Sequence, residues 1–151
     1  MGKDMYKNLC TSVEEKKRKM LELFKDCSTA EKLYQRLIEL GKHQPKLEKS
    51  KKTSQTKVIG CQSQIYLVAS IKKGKIFFEA EADALISAGL AYLLTEVYSN
   101  EAPEALFKCP PDHLKKLNLS DALSPGRSNG LQSIFFKMQK ESLFLLKKLQ
   151  D

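Results

Sequence analysis

The sequence predicts an α+β domain, a small antiparallel sheet of about three strands packed against several helices. Three observations carry this. Apolar residues recur at helical spacing before residue 41 and after residue 84. Between them lies a stretch rich in β-branched and aromatic residues, divided by Lys72-Lys73-Gly74. Strands and helices do not alternate as parallel βαβ units require, which excludes a dinucleotide-binding fold. A chain of 151 residues is about the size of one domain and can bury a sizeable core.

Residues 1–11 are read as a flexible tail and 12–151 as a single domain. Ser12 and Glu15 have capping-box spacing, and Val13, Lys17, Met20, Leu21 and Phe24 then share one helical face. Ser28 and Glu31 open a second helix, whose face is Ala30, Leu33, Tyr34, Leu37 and Ile38. Gly41 is placed to stop it in a left-handed conformation. From Lys42 to Lys57 the pattern lapses into a lysine-rich connector. Val58-Ile59-Gly60-Cys61 and Gln64 to Ile71 are read as extended. Lys72-Lys73-Gly74 is a hairpin turn and Lys75 to Ala80 the return strand. Ala84 to Tyr98 is a largely buried helix with Asp83 at its amino-terminal cap. Gly89 inside it costs about 1 kcal/mol relative to Ala, a cost that suits a position where something packs closely on the backbone. Two short helices are expected near 103–107 and 112–117. Ser124-Pro125 opens the last helix with a cap and a first-turn proline.

Charge is uneven. The net charge is +8, of which residues 1–57, with 15 Lys/Arg against 8 Asp/Glu, carry +7. A basic excess of this kind serves a nucleic-acid surface or simply a solvated face. Arginine, on which base readers lean, occurs only at 18, 36 and 127, and no helix-turn-helix or RNP-type pattern is present. The bland reading is preferred and nucleic acid is not expected as a partner. No apolar run reaches the ~18 residues of a spanning helix, so no membrane association is expected. The first residues lack the apolar stretch of a secretory signal.

Cys10, Cys27, Cys61 and Cys109 stand alone, and His43 and His113 are far apart. Zinc sites need paired ligands on one turn, so no metal is expected. Free thiols in the cytoplasm are the expectation for all four cysteines. Cys61 differs from the others in its surroundings. It follows Gly60 and precedes the polar run Gln62-Ser63-Gln64, and a glycine beside a thiol lets the chain turn sharply and a reactant approach. A Cys/His hydrolytic dyad is not favoured, because both histidines lie in polar or connector contexts. A cysteine without a base can still attack another sulfur, so the chemistry that fits is sulfur transfer. Arg127 is the second departure from local rules: a cation in the first turn of a helix opposes the helix dipole.

Gly60-Cys61-Gln62-Ser63-Gln64 resembles the GCQSQ motif of the SufE/CsdE family, sulfur-accepting partners of cysteine desulfurases. Glu39-Leu40-Gly41, Asp83-Ala84 with Gly89-Leu90, and Leu123 to Gly130 resemble further family segments in the same order. Gly126 stands where the family usually has Ser. The resemblance implies a fold shared with NifU-type scaffolds, and Cys61 as the persulfide-accepting nucleophile. Gly60, Gln62, Ser63, Asp83 and Arg127 would support it or bind the partner. It further implies a SufS/CsdA-like desulfurase as donor, carrying pyridoxal phosphate of its own, and a SufBCD-type iron–sulfur cluster scaffold as acceptor. No cofactor is expected on this chain. The alternative is a non-catalytic basic module that binds nucleic acid or an acidic protein surface.

Overall fold

The computed structural model describes the backbone of residues 2–150 and the side chains of residues 8–149. Helix α1 spans Gly2–Glu22 and α2 spans Ala30–Gly41, followed by the hairpin β1 (Ile65–Lys72) and β2 (Lys75–Ala82). Then come α3 (Leu85–Tyr98), the short α4 (Ala105–Lys108), a 3-10 segment at Asp112–Leu117, the short α5 (Leu119–Ala122) and the long α6 (Pro125–Gln150). The domain is α+β as expected.

The first helix begins earlier than the sequence suggested. It runs from Gly2, so residues 2–11 of the expected tail are helical; Met1 lies outside the described residues, as does Asp151 at the other end. Ser12 therefore caps nothing and instead donates from Oγ to Glu101 Oε2 at 2.8 Å. The buried stripe is the predicted one, through Val13, Met20 and Phe24. Lys17 belongs to it too, at 3% exposure. Its ammonium is satisfied by Glu14, by Asp112 at 2.9 Å and by the Pro110 carbonyl, as a buried charge must be. The same stripe, extended one turn back, carries Cys10. It forms a disulfide with Cys109 at the end of α4, their Cα atoms 5.7 Å apart. This corrects the expectation of four free thiols, leaving Cys27 and Cys61 free.

Helices α2 and α3 cross at two glycines. A Cβ on Gly89 would stand 2.0 Å from the Leu37 carbonyl oxygen, and one on Gly41 would stand 2.1 Å from the Leu85 oxygen. Gly41 therefore stays in the helix to admit a neighbouring backbone; the cap after it, Lys42, is right-handed at φ −70°. The cap of α2 is Thr29, whose Oγ1 accepts from Lys32 N, rather than Ser28.

The sheet has two strands where about three were expected. They pair antiparallel from Ile65↔Ala82 to Lys72↔Lys75, and the turn places Lys73 and Gly74 at φ 52° and 79°. Two successive positive φ values are the twist-matched hairpin geometry. The missing third strand is reduced to a short pairing. Val58 N donates to Ile65 O and Leu67 N to Thr56 O, with one bridge at Lys57↔Tyr66. Gly60, at φ 92°, then turns the chain out of register.

The lysine-rich connector is not simply solvated. Leu47 is buried, with its N–H on Glu81 Oε1. Lys51 pairs with Glu79 at 3.2 Å and Lys52 pairs with Glu81. Part of the basic excess is thus spent on carboxylates of β2. The lysine partner holds the Glu81 carboxyl below its ordinary range. Among the described residues, no helix is long and apolar enough to cross a membrane.

Candidate functional site

Residues 60–63 form a short loop between the Lys57 bridge and β1, seated on the amino-terminal half of α6. That helix starts as predicted: Pro125 is its first residue, and Ser124 Oγ accepts from Arg127 N at 3.3 Å. Its first turns present Gly126, Gly130 and Ser133 to the loop. A Cβ on Gly126 would lie 2.9 Å from Gln62 Oε1, and one on Gly60 would lie 2.8 Å from Ser133 Oγ. Ser133 Oγ also donates to Gly60 O at 3.4 Å. At Gly60, the positive φ and the near approach of Ser133 both require glycine.

Cys61 is half-buried and packs against the core cluster. Its thiol points at the Gly130 carbonyl, with Sγ 3.8 Å from the oxygen. Burial pushes the thiol above its ordinary range, because a thiolate is poorly solvated there. No imidazole bonds the sulfur: His113 is buried, with Nε2 at 3.3 Å from Leu93 O.

The supporting residues divide into two groups. Gln62 and Ser63 do touch the machinery. Ser124 Oγ donates to Gln62 Oε1 at 3.1 Å. Arg127 Nη1 donates to Ser63 Oγ and to Ser87 Oγ, and Ser87 Oγ donates to Ser63 Oγ at 2.8 Å. The guanidinium is thus held by two hydroxyls rather than by the sulfur. Asp83 is elsewhere in function: its Oδ1 accepts from Gln64 N at 3.2 Å, while Asp83 N donates to Gln64 O. It closes the base of the loop instead of capping α3, whose cap position is Ala84 without a side-chain bond. Ser87, buried in α3, was not singled out by the sequence, because a serine on a buried helix carries no periodic signal. Gly126 and Gly130, spaced one turn apart, were legible only as part of the family resemblance. Among the described residues, no group of three or more His, Cys, Asp or Glu side chains could hold a metal ion.

What the arrangement defines is a thiol on a loop that turns at Gly60, sheltered against a helix and braced by an arginine–serine triad, with no histidine hydrogen-bonded to the sulfur among the described residues. Comparison with known proteins places it. Residues 18–142 match the SufE family, described as an Fe-S metabolism associated domain. An uncharacterized SufE-like protein of Synechocystis is 30% identical over 125 residues, 83% of this chain and 79% of that protein. An Arabidopsis thaliana protein described as SufE-like protein 1, chloroplastic/mitochondrial, is 32% identical over 86% of this chain and 35% of its own length. A solution structure of a hypothetical protein from Thermus thermophilus superposes with a TM-score of 0.70 at 25% identity, covering 87% of this chain and 96% of that one. The chain belongs to the SufE family, and with it to Fe-S metabolism.

Proposed function

We propose that this protein accepts sulfur on Cys61 from a cysteine desulfurase of the SufS/CsdA type and passes it to an iron–sulfur cluster scaffold of the SufBCD type, stimulating the desulfurase by clearing its product. The observation that carries the reading is the seat of Cys61: a half-buried free thiol on a loop that turns at Gly60, with the Gly130 carbonyl as its one polar partner among the described residues. In the transfer, the Cys61 thiolate attacks the outer sulfur of the donor's cysteine persulfide. The donor's S–S bond breaks, its cysteine leaves as a thiolate, and Cys61 keeps the sulfur as a persulfide. The exchange balances without an external oxidant or reductant. Pyridoxal phosphate belongs to the desulfurase in this reading.

Shelter suits a persulfide, which other thiols would strip, and the raised thiol leaves less of the reactive thiolate in the resting loop, so uptake there is slow rather than absent. The loop therefore opens when the donor docks, with Gly60 as the hinge. The reading of a basic module for nucleic acid has less support, because Lys51 and Lys52 are engaged with Glu79 and Glu81. We place the protein in the cytoplasm, where the Cys27 and Cys61 thiols stay reduced; the Cys10–Cys109 disulfide is uncommon in that compartment and argues the other way, and fractionation decides between cytosol and an organelle. The function is tested by incubating the protein with desulfurase, pyridoxal phosphate and cysteine. A faster desulfurase and one added sulfur per chain by intact mass support it. No uptake and no stimulation overturn it.

A further inference from the structure

The most exposed large apolar side chains lie just before the thiol loop and on α6. Ile59, two residues before Cys61, is 85% exposed; Phe136 is 61% and Phe144 54% exposed. Ile59 and Phe136 line one depression together with Ser133, the residue that bonds Gly60. Phe144 lines the next, against Gln55 and Thr56 of the segment leading to Ile59. Phe136 and Phe144 are eight residues apart, hence on one helical face and about 12 Å apart along the axis. Lys140 links the two, lining the Phe144 depression with its ammonium beside the Phe136 ring.

Its charge is one-sided. Lys140 Nζ lies 5.6 Å from the Phe136 ring centroid and Lys148 Nζ 5.0 Å from that of Phe144. Among the described residues, neither these lysines nor Lys147 has a carboxylate at ion-pair distance; the one acidic side chain on this stretch, Glu141, pairs with Lys137 at 3.1 Å. An apolar ridge under unpaired ammonium groups calls for an occupant that is apolar at its centre and acidic at its rim. A second copy of this chain would set like charge against like.

We propose that this strip, Ile59–Phe136–Lys140–Phe144, is the docking surface for the protein that loads sulfur onto Cys61, and that this protein meets it with an apolar patch flanked by carboxylates. The inference rests on the sulfur-acceptor reading above and adds to it where the donor sits. The donor is assigned rather than the later acceptor because the strip includes the residue preceding the Gly60 hinge. A partner that grips Ile59 pulls on the segment that holds the thiol inward, so docking and opening are one event.

The test uses the full chain as wild type, Phe136→Ser, Phe144→Ser and Lys140→Glu. Sulfur uptake is measured against increasing concentrations of each with a purified cysteine desulfurase, pyridoxal phosphate and cysteine. In parallel, each is loaded with a low-molecular-mass persulfide that needs no docking. The expected result is a half-saturating concentration raised about tenfold for Phe136→Ser, with uptake from the small persulfide unchanged. Lys140→Glu should raise it as well, and added salt should weaken wild-type docking. Unaltered half-saturation in all three variants overturns the docking surface while leaving the sulfur-acceptor reading in place. Concentration-dependent dimers lost in Phe136→Ser, or binding to phosphatidylglycerol vesicles lost in that variant with donor uptake unaffected, assign the strip to a second copy or to a lipid surface and also overturn it. Wild-type protein that takes sulfur from neither donor ends both proposals.

Discussion

Arg127, in the first turn of α6, donates hydrogen bonds to Ser87 in α3 and to Ser63 two residues past the reactive thiol. This joins the two helices between which the Cys61 loop is held. It also explains a cation at a helix start, where the dipole disfavours it by a few tenths of a kcal/mol: charge-assisted bonds to two hydroxyls outweigh that, at about 1.5–3 kcal/mol for a typical one. Because the side chain is only partly buried, the net loss in Arg127→Ala is expected nearer ~1 kcal/mol. The larger effect should be on the loop, with alkylation of Cys61 several-fold faster. Arg127→Lys should restore only part, since both serines are met by Nη1 at the far end of the guanidinium and the shorter, strongly hydrated lysine ammonium does not hold that position. Iodoacetamide kinetics beside thermal unfolding check this, and unchanged alkylation in Arg127→Ala would contradict the bracing role.

Gly89→Ala weighs two effects against each other. Alanine should favour the helix by about 1 kcal/mol. Against that, its Cβ would meet the Leu37 carbonyl at 2.0 Å, and backbone on both sides leaves no flexible atom to yield. Separating α2 from α3 is expected to win, with a net loss of about 1–3 kcal/mol. Denaturant unfolding measures it; a variant as stable as wild type would mean the helices are not in backbone contact.

Burial holds the Cys61 thiol above its ordinary range, so fewer thiolates are present at neutral pH in the folded protein than in the unfolded chain. In a Cys27→Ser background, which leaves Cys61 as the free thiol, the alkylation rate should reach half its maximum at a higher pH when folded. In urea the midpoint should fall toward about 8.5. A folded midpoint at or below the unfolded one would remove the sheltered resting state.

His113 supplies a pH dependence of stability. It is 1% exposed, and its Nδ1 has no partner among the described residues. Burial is the first cause of its lowered pKa, with Lys17 adding to it and the Leu93 carbonyl opposing. Below about 6.5 the unfolded chain binds a proton that the folded protein refuses, so stability falls as pH drops from there toward the folded value. His113→Phe removes the orphan nitrogen, and its stability should change less than that of wild type between about pH 7 and 5. Equal slopes for both proteins would assign the acid sensitivity to other groups.

Much of the frame was legible because it depends on local pattern. The α1 and α2 stripes, the Lys73-Gly74 turn and the Ser124-Pro125 start of α6 each follow from residues within one or two turns of one another. What was not legible are contacts between distant segments. Gly41 read as a stop and Gly89 as a place for a close neighbour, and only the crossing of α2 with α3 names that neighbour and shows that the two glycines serve one contact. Cys10 and Cys109 lie 99 residues apart, and their pairing depends on α1 extending past Ser12. The third strand failed because Gly60 turns the chain after a single bridge. Cys61 could be found from its motif, whereas Ser87 could be found only once α3 and α6 were brought together.

The central claim is that Cys61 is the atom that receives sulfur. Its most direct test is to load the protein with desulfurase and cysteine, alkylate it, cleave it without reductant and locate the added sulfur by peptide mass. The account predicts the increment on the peptide carrying Cys61, its persistence in Cys27→Ser, and its complete loss in Cys61→Ser with the fold intact. Sulfur found on Cys27, or full uptake by folded Cys61→Ser, would contradict it.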